Sequence, residues 1–391
     1  MGFLCGLKNV FGSSSSDASA ASPVDAAPTT ASMSNASRAV NNSCDDDEGP
    51  IPIERRIKTL TLGPSGLYAH EILLLSYAEK FTVSQDEFQG FWWHRYGISD
   101  VSSLLASLKS RGYLVLGGLP ASLRNAKVVE LSAACKKLGI PSSGKKADLI
   151  QRLLGSGKED FLGSFFPLRY LELTDSGRRA LELEPYIPFA HSHSDLATLS
   201  GDYDIWSIGK LFPHGASSDW KMLLVNSLDL TARAHYCSCY YGFWRNSIFE
   251  ASEILAEDGQ TENAFQLFAK VICVDLSLIF NTTLDDVETN ISFYTNFCTD
   301  SVAPYDVSSV RLTPGIVKRL VRYSSSLNLD DEGLARAIAC AYEITEVPIP
   351  VFTADECAAI AVGEVHQITG ALPSLYEHAQ RRLLSPSRLR N

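Results

Sequence analysis

Leu67, Ile72, Leu75 and Ala78 recur at helical spacing and predict a first helix over residues 67–81. A second helical pattern includes Phe88, Phe91 and Trp92. A third opens at Asp100, whose side chain suits an N-cap, and runs through Val101, Leu104, Leu105 and Leu108 to Arg111. Gly112 stops it, and residues 113–116 (Tyr-Leu-Val-Leu) read as a strand. The next alternating stretch is residues 168–173, followed by a helix over 174–182. Between the two strands lie a pair of helical patterns. Residues 126–138 carry Val128, Leu131, Cys135 and Leu138 at spacings of three and four, and residues 146–154 carry Leu149, Ile150 and Leu153. Gly139-Ile-Pro-Ser-Ser-Gly144 joins them as a glycine-bounded connection.

The flanks differ in character. Residues 13–50 are rich in Ser, Ala, Thr, Asn and Asp, with four consecutive serines and an Asp-Asp-Asp-Glu run at 45–48. They lack the apolar periodicity that offsets chain entropy, so residues 1–50 read as a disordered tail with order starting near 51–56. A Pro- and His-containing linker spans about 185–200, and residues 217–285 are strongly helical. Within them, 248–279 pairs two patterns around Glu257-Asp-Gly-Gln260: Ala251, Ile254 and Leu255, then Ala264, Leu267, Phe268, Val271, Ile272 and Leu276. Further helices are expected at 314–326, 331–343 and 354 to about 366, with a basic tail over 381–391.

Charge divides the chain the same way. The net charge of −11 appears to exclude a nucleic-acid partner, yet residues 185–391 carry 14 basic and 25 acidic groups and account for the whole deficit. Residues 57–117 are neutral, with five of each sign, while residues 118–158 carry eight basic and two acidic groups, a window at +6. A local excess of this kind is what phosphate attraction needs, whatever the sum over the chain.

Three short helices, a strand, a returning strand and a closing helix follow the order of a winged helix-turn-helix. Tyr170-Leu-Glu-Leu-Thr-Asp-Ser-Gly-Arg-Arg-Ala-Leu181 resembles the wing strand and closing helix of winged-helix proteins such as the MarR and PadR families. The resemblance implies a wing hairpin interrupted by an inserted module. That module carries Val129-Glu-Leu131, Leu138-Gly-Ile140 and Gly144-Lys-Lys-Ala-Asp-Leu-Ile-Gln-Arg-Leu153, and here the sequence resembles the SAP module, a helix–extended loop–helix DNA-binding motif. Ser132 departs from the family, which often has Lys after Glu-Leu. The order of parts also resembles that of uncharacterised bacterial SAP domain-containing proteins. Gly-Gln-x-x-x-Ala-Phe-x-Leu-Phe at 259–268 resembles one tetratricopeptide repeat, without a second copy at a 34-residue period.

The expected fold class is therefore mainly α with a small β component (α+β). Its parts are a winged-helix-like domain over 51–117, completed by a strand and closing helix at 159–185, a SAP-like insertion at 118–158, and an acidic helical domain at 200–380. The candidate nucleic-acid-binding residues are Ser142, Ser143 and Gly144, which lead into the second SAP-like helix, and Lys145 and Lys146 at its start. Free N–H groups and the helix dipole favour an anion there, and basic residues at that end oppose the dipole until a phosphate arrives. The SAP resemblance offers Arg152 as a further position, with Lys127, Lys136 and Lys137 as peripheral charge. In the host domain, Lys109 and Arg111 stand on the third helix, which in winged helices enters the major groove, beside Ser102, Ser103, Ser107 and Ser110. Trp92 and Trp93 offer base-stacking surfaces, although at least one belongs in the core.

Other chemistry is weakly signalled. Cys237-x-Cys239 and His191-x-His193 lack a second ligand pair at zinc-like spacing, so neither a metal nor another cofactor is expected. Nine scattered cysteines within apolar patterns fit a reduced, cytoplasmic setting. No Gly-x-Ser-x-Gly elbow, P-loop or His-Glu-x-x-His occurs, and Asp285-Asp286 suits a helix N-terminus better than a catalytic pair. No stretch is apolar enough to span a membrane, and the first twelve residues fit neither a secretory signal nor the myristoylation pattern, leaving a weak peripheral anchor over 1–12. The reading is a non-enzymatic DNA-binding (or RNA-binding) protein that grips phosphates through the SAP-like module, its helical domain contacting a protein partner. The alternatives are an interaction scaffold in which the SAP-like fold is structural, and an enzyme housed in residues 200–380.

Overall fold

The computed structural model describes residues 50–193, 203–277, 310–347, 350–367 and 372–383. The expected tail over 1–49, the anchor at 1–12, Asp285-Asp286 and the tail beyond 383 lie outside the described residues. The described chain is mainly helical with one small sheet.

The first helices follow local signals closely. After a short α1 (Ile53–Arg56), α2 (Ala69–Ala78) buries Ile72, Leu73, Leu74 and Leu75, an apolar face wide enough to be covered on most sides. The second predicted helix is only one turn, α3 (Phe91–His94). Phe88 precedes it and meets Phe81 edge to face, so its burial comes from aromatic packing and not from helical spacing. Asp100 caps α4 (Val101–Ser110) by accepting from the Ser103 amide at 2.8 Å. At the other end the Tyr113 amide donates back to Leu108 and the Gly112 amide to Lys109, which closes the helix.

The chain then enters β1 (Leu114–Leu116), whose partner is β2 (Leu171–Leu173). The two pair antiparallel, Leu114 with Leu173 and Leu116 with Leu171, across everything between residues 117 and 170. Thr82 bridges Tyr170 on the far side of β2. Helix α9 (Asp175–Leu183) follows, with the Thr174 hydroxyl accepting from the Gly177 amide at 3.2 Å.

Four helices fill the interval: α5 (Leu119–Asn125), α6 (Val128–Lys137), α7 (Lys146–Gly155) and α8 (Glu159–Phe165). The sequence pattern pointed to α6 and α7 only. Leu123, Leu131, Ala134, Cys135, Leu149, Leu153, Leu162 and Phe166 form a small core separate from the main one, so the inserted unit runs past residue 158 and takes in α8. Helix α5 ties the unit to its host. Arg124 pairs with Glu172 on β2, and the Asn125 side-chain amide donates to the Glu79 carbonyl at 2.9 Å.

Residues 185–193, expected as linker, instead form α10 (Tyr186–Ser192). Pro185 stands at its N-cap and Pro188 in its first turn, where the missing N–H would have had no partner in any case. Tyr186, Ile187 and Ala190 are buried, and the His191 ring sits between the hydroxyls of Tyr77 (2.9 Å) and Tyr96 (2.6 Å). His193 stacks on Phe189 and contacts Glu257. The two histidines of the His-x-His pair thus serve packing.

The acidic half contains α11 (Trp220–Cys237), α12 (Tyr241–Glu257) and α13 (Thr261–Asp275), then α14 (Pro314–Ser326), α15 (Asp331–Thr345), α16 (Ala354–His366) and α17 (Leu372–Leu383). The α12–α13 hairpin turns at Asp258-Gly259, as its sequence indicates. Helix α13 is buried on nearly every side from Ala264 to Asp275 and packs against α12, α14 and α15. Arg245 clamps Asp275 through two bonds of 2.7 Å, and Arg319 clamps Glu253 at 3.1 and 2.9 Å, cross-linking α12 to its neighbours. In α17, Arg382 bonds Glu356 and the Val351 carbonyl, so this part of the expected basic tail is anchored. One continuous core joins α2–α4 and the strand pair to the helical half.

Gly177 in α9 lies directly against the strand pair: a Cβ there would stand 2.4 Å from the carbonyl oxygen of Tyr113, just ahead of β1, and 3.0 Å from the Leu173 side chain of β2. Gly177→Ala normally gains about 1 kcal/mol of helix propensity. Here the clash is expected to reverse the sign and cost about 1–3 kcal/mol. Thermal unfolding checks this, and a raised Tm would show that α9 does not press on the strand.

Candidate nucleic-acid interface

The insertion's two central helices are set by end signals. The Lys127 amide donates to Glu130 at 2.7 Å and the Lys145 amide to Asp148 at 3.3 Å, so the two acids of the basic window each hold a helix start. Helix α6 ends at Gly139, whose φ of +70° is a left-handed conformation that glycine adopts without strain. There the Ile140 amide donates to Cys135 and the Gly139 amide to Lys136. Ile140 folds back onto the small core, and the chain crosses to α7 through Pro141, Ser142, Ser143 and Gly144.

This loop is held from both sides. The Ser132 hydroxyl on α6 donates to the Ser142 carbonyl at 2.9 Å. From α7, Arg152 Nη1 donates to the carbonyls of Pro141 (2.9 Å) and Ser143 (2.6 Å). Ser143, Gly144 and Lys145 are exposed, and Lys146 is half-buried. Among the described residues, no carboxylate lies within ion-pair distance of Lys136, Lys145 or Lys146. The loop and α6 enclose a shallow cleft of about 430 Å³ lined by Val128, Val129, Ser132, Lys136, Ser142 and Gly144. Val129 is 79% exposed, an unusual position for a branched apolar side chain.

The structure therefore brings Ser142, Ser143, Gly144, Lys145, Lys146 and Arg152 to one end of the insertion. Arg152 faces the loop and is engaged with its carbonyls. The peripheral lysines Lys127, Lys136 and Lys137 are all exposed, and Lys137 also sits over the Phe165 ring at 4.8 Å. In the host, Lys109 is exposed on the last turn of α4. Arg111 pairs with the buried carboxylate of Glu71 and lies over Tyr113, so its charge is largely matched within the protein. Trp92 is in the core and donates to Gln89 at 3.1 Å; Trp93 remains partly exposed.

Two features escaped the sequence. Ser132 read as a lost positive charge, yet it anchors the loop. Val129 carried a signal, since the stripe that runs through Leu131, Cys135 and Leu138 leaves it off the inward face.

A SAP-domain family model matches residues 123–156, so the chain carries a SAP domain, and this implies binding to DNA or other nucleic acid. The match falls on α6, the tethered loop and α7. The chain matches no curated protein and no solved structure.

Because this domain has its own core, its stability should be separable from that of the host. Leu153 is fully buried there, and Leu153→Ala is expected to cost about 2–5 kcal/mol. In amide hydrogen exchange the loss should fall on residues 119–166 while α13 keeps its protection. An equal loss in α13 would show one cooperative unit.

Proposed function

We propose that this protein is a non-enzymatic nucleic-acid-binding protein that grips a duplex, most simply DNA, through the backbone phosphates. The observation that carries the reading is the SAP match falling on a module whose exposed end presents Lys145 and Lys146 beside loop amides. Contacts of this type supply affinity and position more than sequence reading.

In this reading the host is a winged-helix-like domain interrupted at its wing. The order α2, Thr82 bridge, α3, α4, β1, β2, α9 and the antiparallel register of the two strands support it. Its third helix contributes little charge, because Arg111 is paired with Glu71 and, among the described residues, Lys109 is left as the one cation of α4 outside an ion pair. The acidic half would contact a protein partner. It offers a cleft of about 660 Å³ between α15, α16 and α17, floored by Ala335, Ala339, Ala358 and Gly363. At its rim Asp331 meets His366 and Glu332 pairs with Arg336, while Asp355 is the remaining acidic lining residue, a sparse set that fits a docking surface better than a set of catalytic groups.

The test is a salt titration of binding to a short duplex, comparing the parent with Lys145→Ala/Lys146→Ala. The double variant should bind more weakly and lower the slope of log affinity against log salt by about 2. No binding by the parent at low salt, or an unchanged slope, would refute the phosphate role of this helix end.

A further inference from the structure

The lysines explain charge at the SAP loop but not why the loop holds its shape. Three successive carbonyls, those of Pro141, Ser142 and Ser143, are each bonded inward: the first and third by Arg152, the middle one by Ser132. In a trans peptide the C=O of one residue and the N–H of the next point in opposite directions. Every peptide bond among the described residues is trans. Tying down these carbonyls therefore turns the amides of Ser142, Ser143 and Gly144 away from Arg152 and Ser132. None of the three has an acceptor among the described residues, and the Asp148 carboxylate is occupied by the Lys145 amide next along. Gly144 has a φ of +125°, and a Cβ there would stand 3.2 Å from Arg152 Nη2, so the turn also needs its glycine for the arginine to pass beneath.

We infer that Arg152 and Ser132 are positioning residues for phosphate recognition: they hold the 141–143 carbonyls inward so that consecutive loop amides face an incoming phosphate oxygen. The inference rests on the nucleic-acid reading above and assigns Arg152 a role different from a direct phosphate ligand. A guanidinium suits this task because one rigid fork spans two carbonyls, which the point charge of a lysine cannot do. The Ser132 hydroxyl, where the family often has Lys, adds the third tie from the opposite helix.

Two measurements on the full chain test it. In the duplex salt series, Arg152→Ala should weaken binding about tenfold, as expected for the loss of two charge-assisted hydrogen bonds that fix the loop. The salt slope should stay at the parent value, because no cation leaves a phosphate. Arg152→Lys should not rescue, and Ser132→Ala should weaken binding about threefold with the slope again unchanged. Lys145→Ala, the direct-contact control, should lower the slope by about 1. A slope drop in Arg152→Ala together with rescue by lysine would overturn the inference and leave the nucleic-acid reading standing. The second measurement needs no nucleic acid. Inorganic phosphate added to the isotope-labelled parent should shift the amide resonances of Ser143 and Gly144, and these shifts should vanish in Arg152→Ala and shrink in Ser132→Ala. Absence of the shifts in the parent, or their persistence in both variants, would overturn it.

Discussion

The N-terminal half depends on one pairing. Three residues of β1 meet three of β2 across more than fifty intervening positions, and their inward side chains, Leu114, Leu171 and Leu173, belong to the main core. Closing so long a loop costs only slightly more than closing a shorter one, since the entropy grows with the logarithm of length. Such an insertion is tolerable when the inserted chain buries its own apolar surface, and here it does, through a second core built on Leu131, Leu149, Leu153 and Leu162. Arg124 on Glu172 and Asn125 on Glu79 then tie the unit to the sheet and to α2. The nucleic-acid candidate is thus an independently packed unit with fixed attachment, not a loop.

The parts legible in the sequence were those with local causes. Asp100 and Gly112 bound α4, Gly139 ends α6, and Pro314 and Ala354 open helices where the apolar periodicity starts. Misses arose where the cause was short or distant. Helices α5 and α8 are seven residues each, carrying Pro120 and Gly163, too brief for periodicity to register. Helix α10 carries Pro188 and is preceded by Pro185, a spacing that reads as linker, and only the burial of Tyr186 and Ile187 against distant elements makes it a helix. The union of α2–α4 with the acidic half in one core is likewise invisible to local patterns.

The site divides in the same way. Basic residues at a helix start are readable from spacing, so Lys145 and Lys146 were found as candidates. Direction is not readable. Arg152 lies on the same short helix, and the sequence cannot say that its fork reaches back to Pro141 and Ser143. Nor does neutral charge over 57–117 reveal that Arg111 is matched to a buried Glu71. The basic window at 118–158 coincides with the SAP match at 123–156, and hydrogen bonds decide which of its cations face outward.

In the proposed reading nucleic acid is held locally, by the insertion. Hydrogen–deuterium exchange of the full protein, with and without a short duplex at low salt, distinguishes this from binding by the host or the helical half. Added protection is predicted over residues 127–152, with α4 and the helices from α11 onward unchanged. Protection centred on α4 or on the acidic half, with none in the insertion, would contradict it.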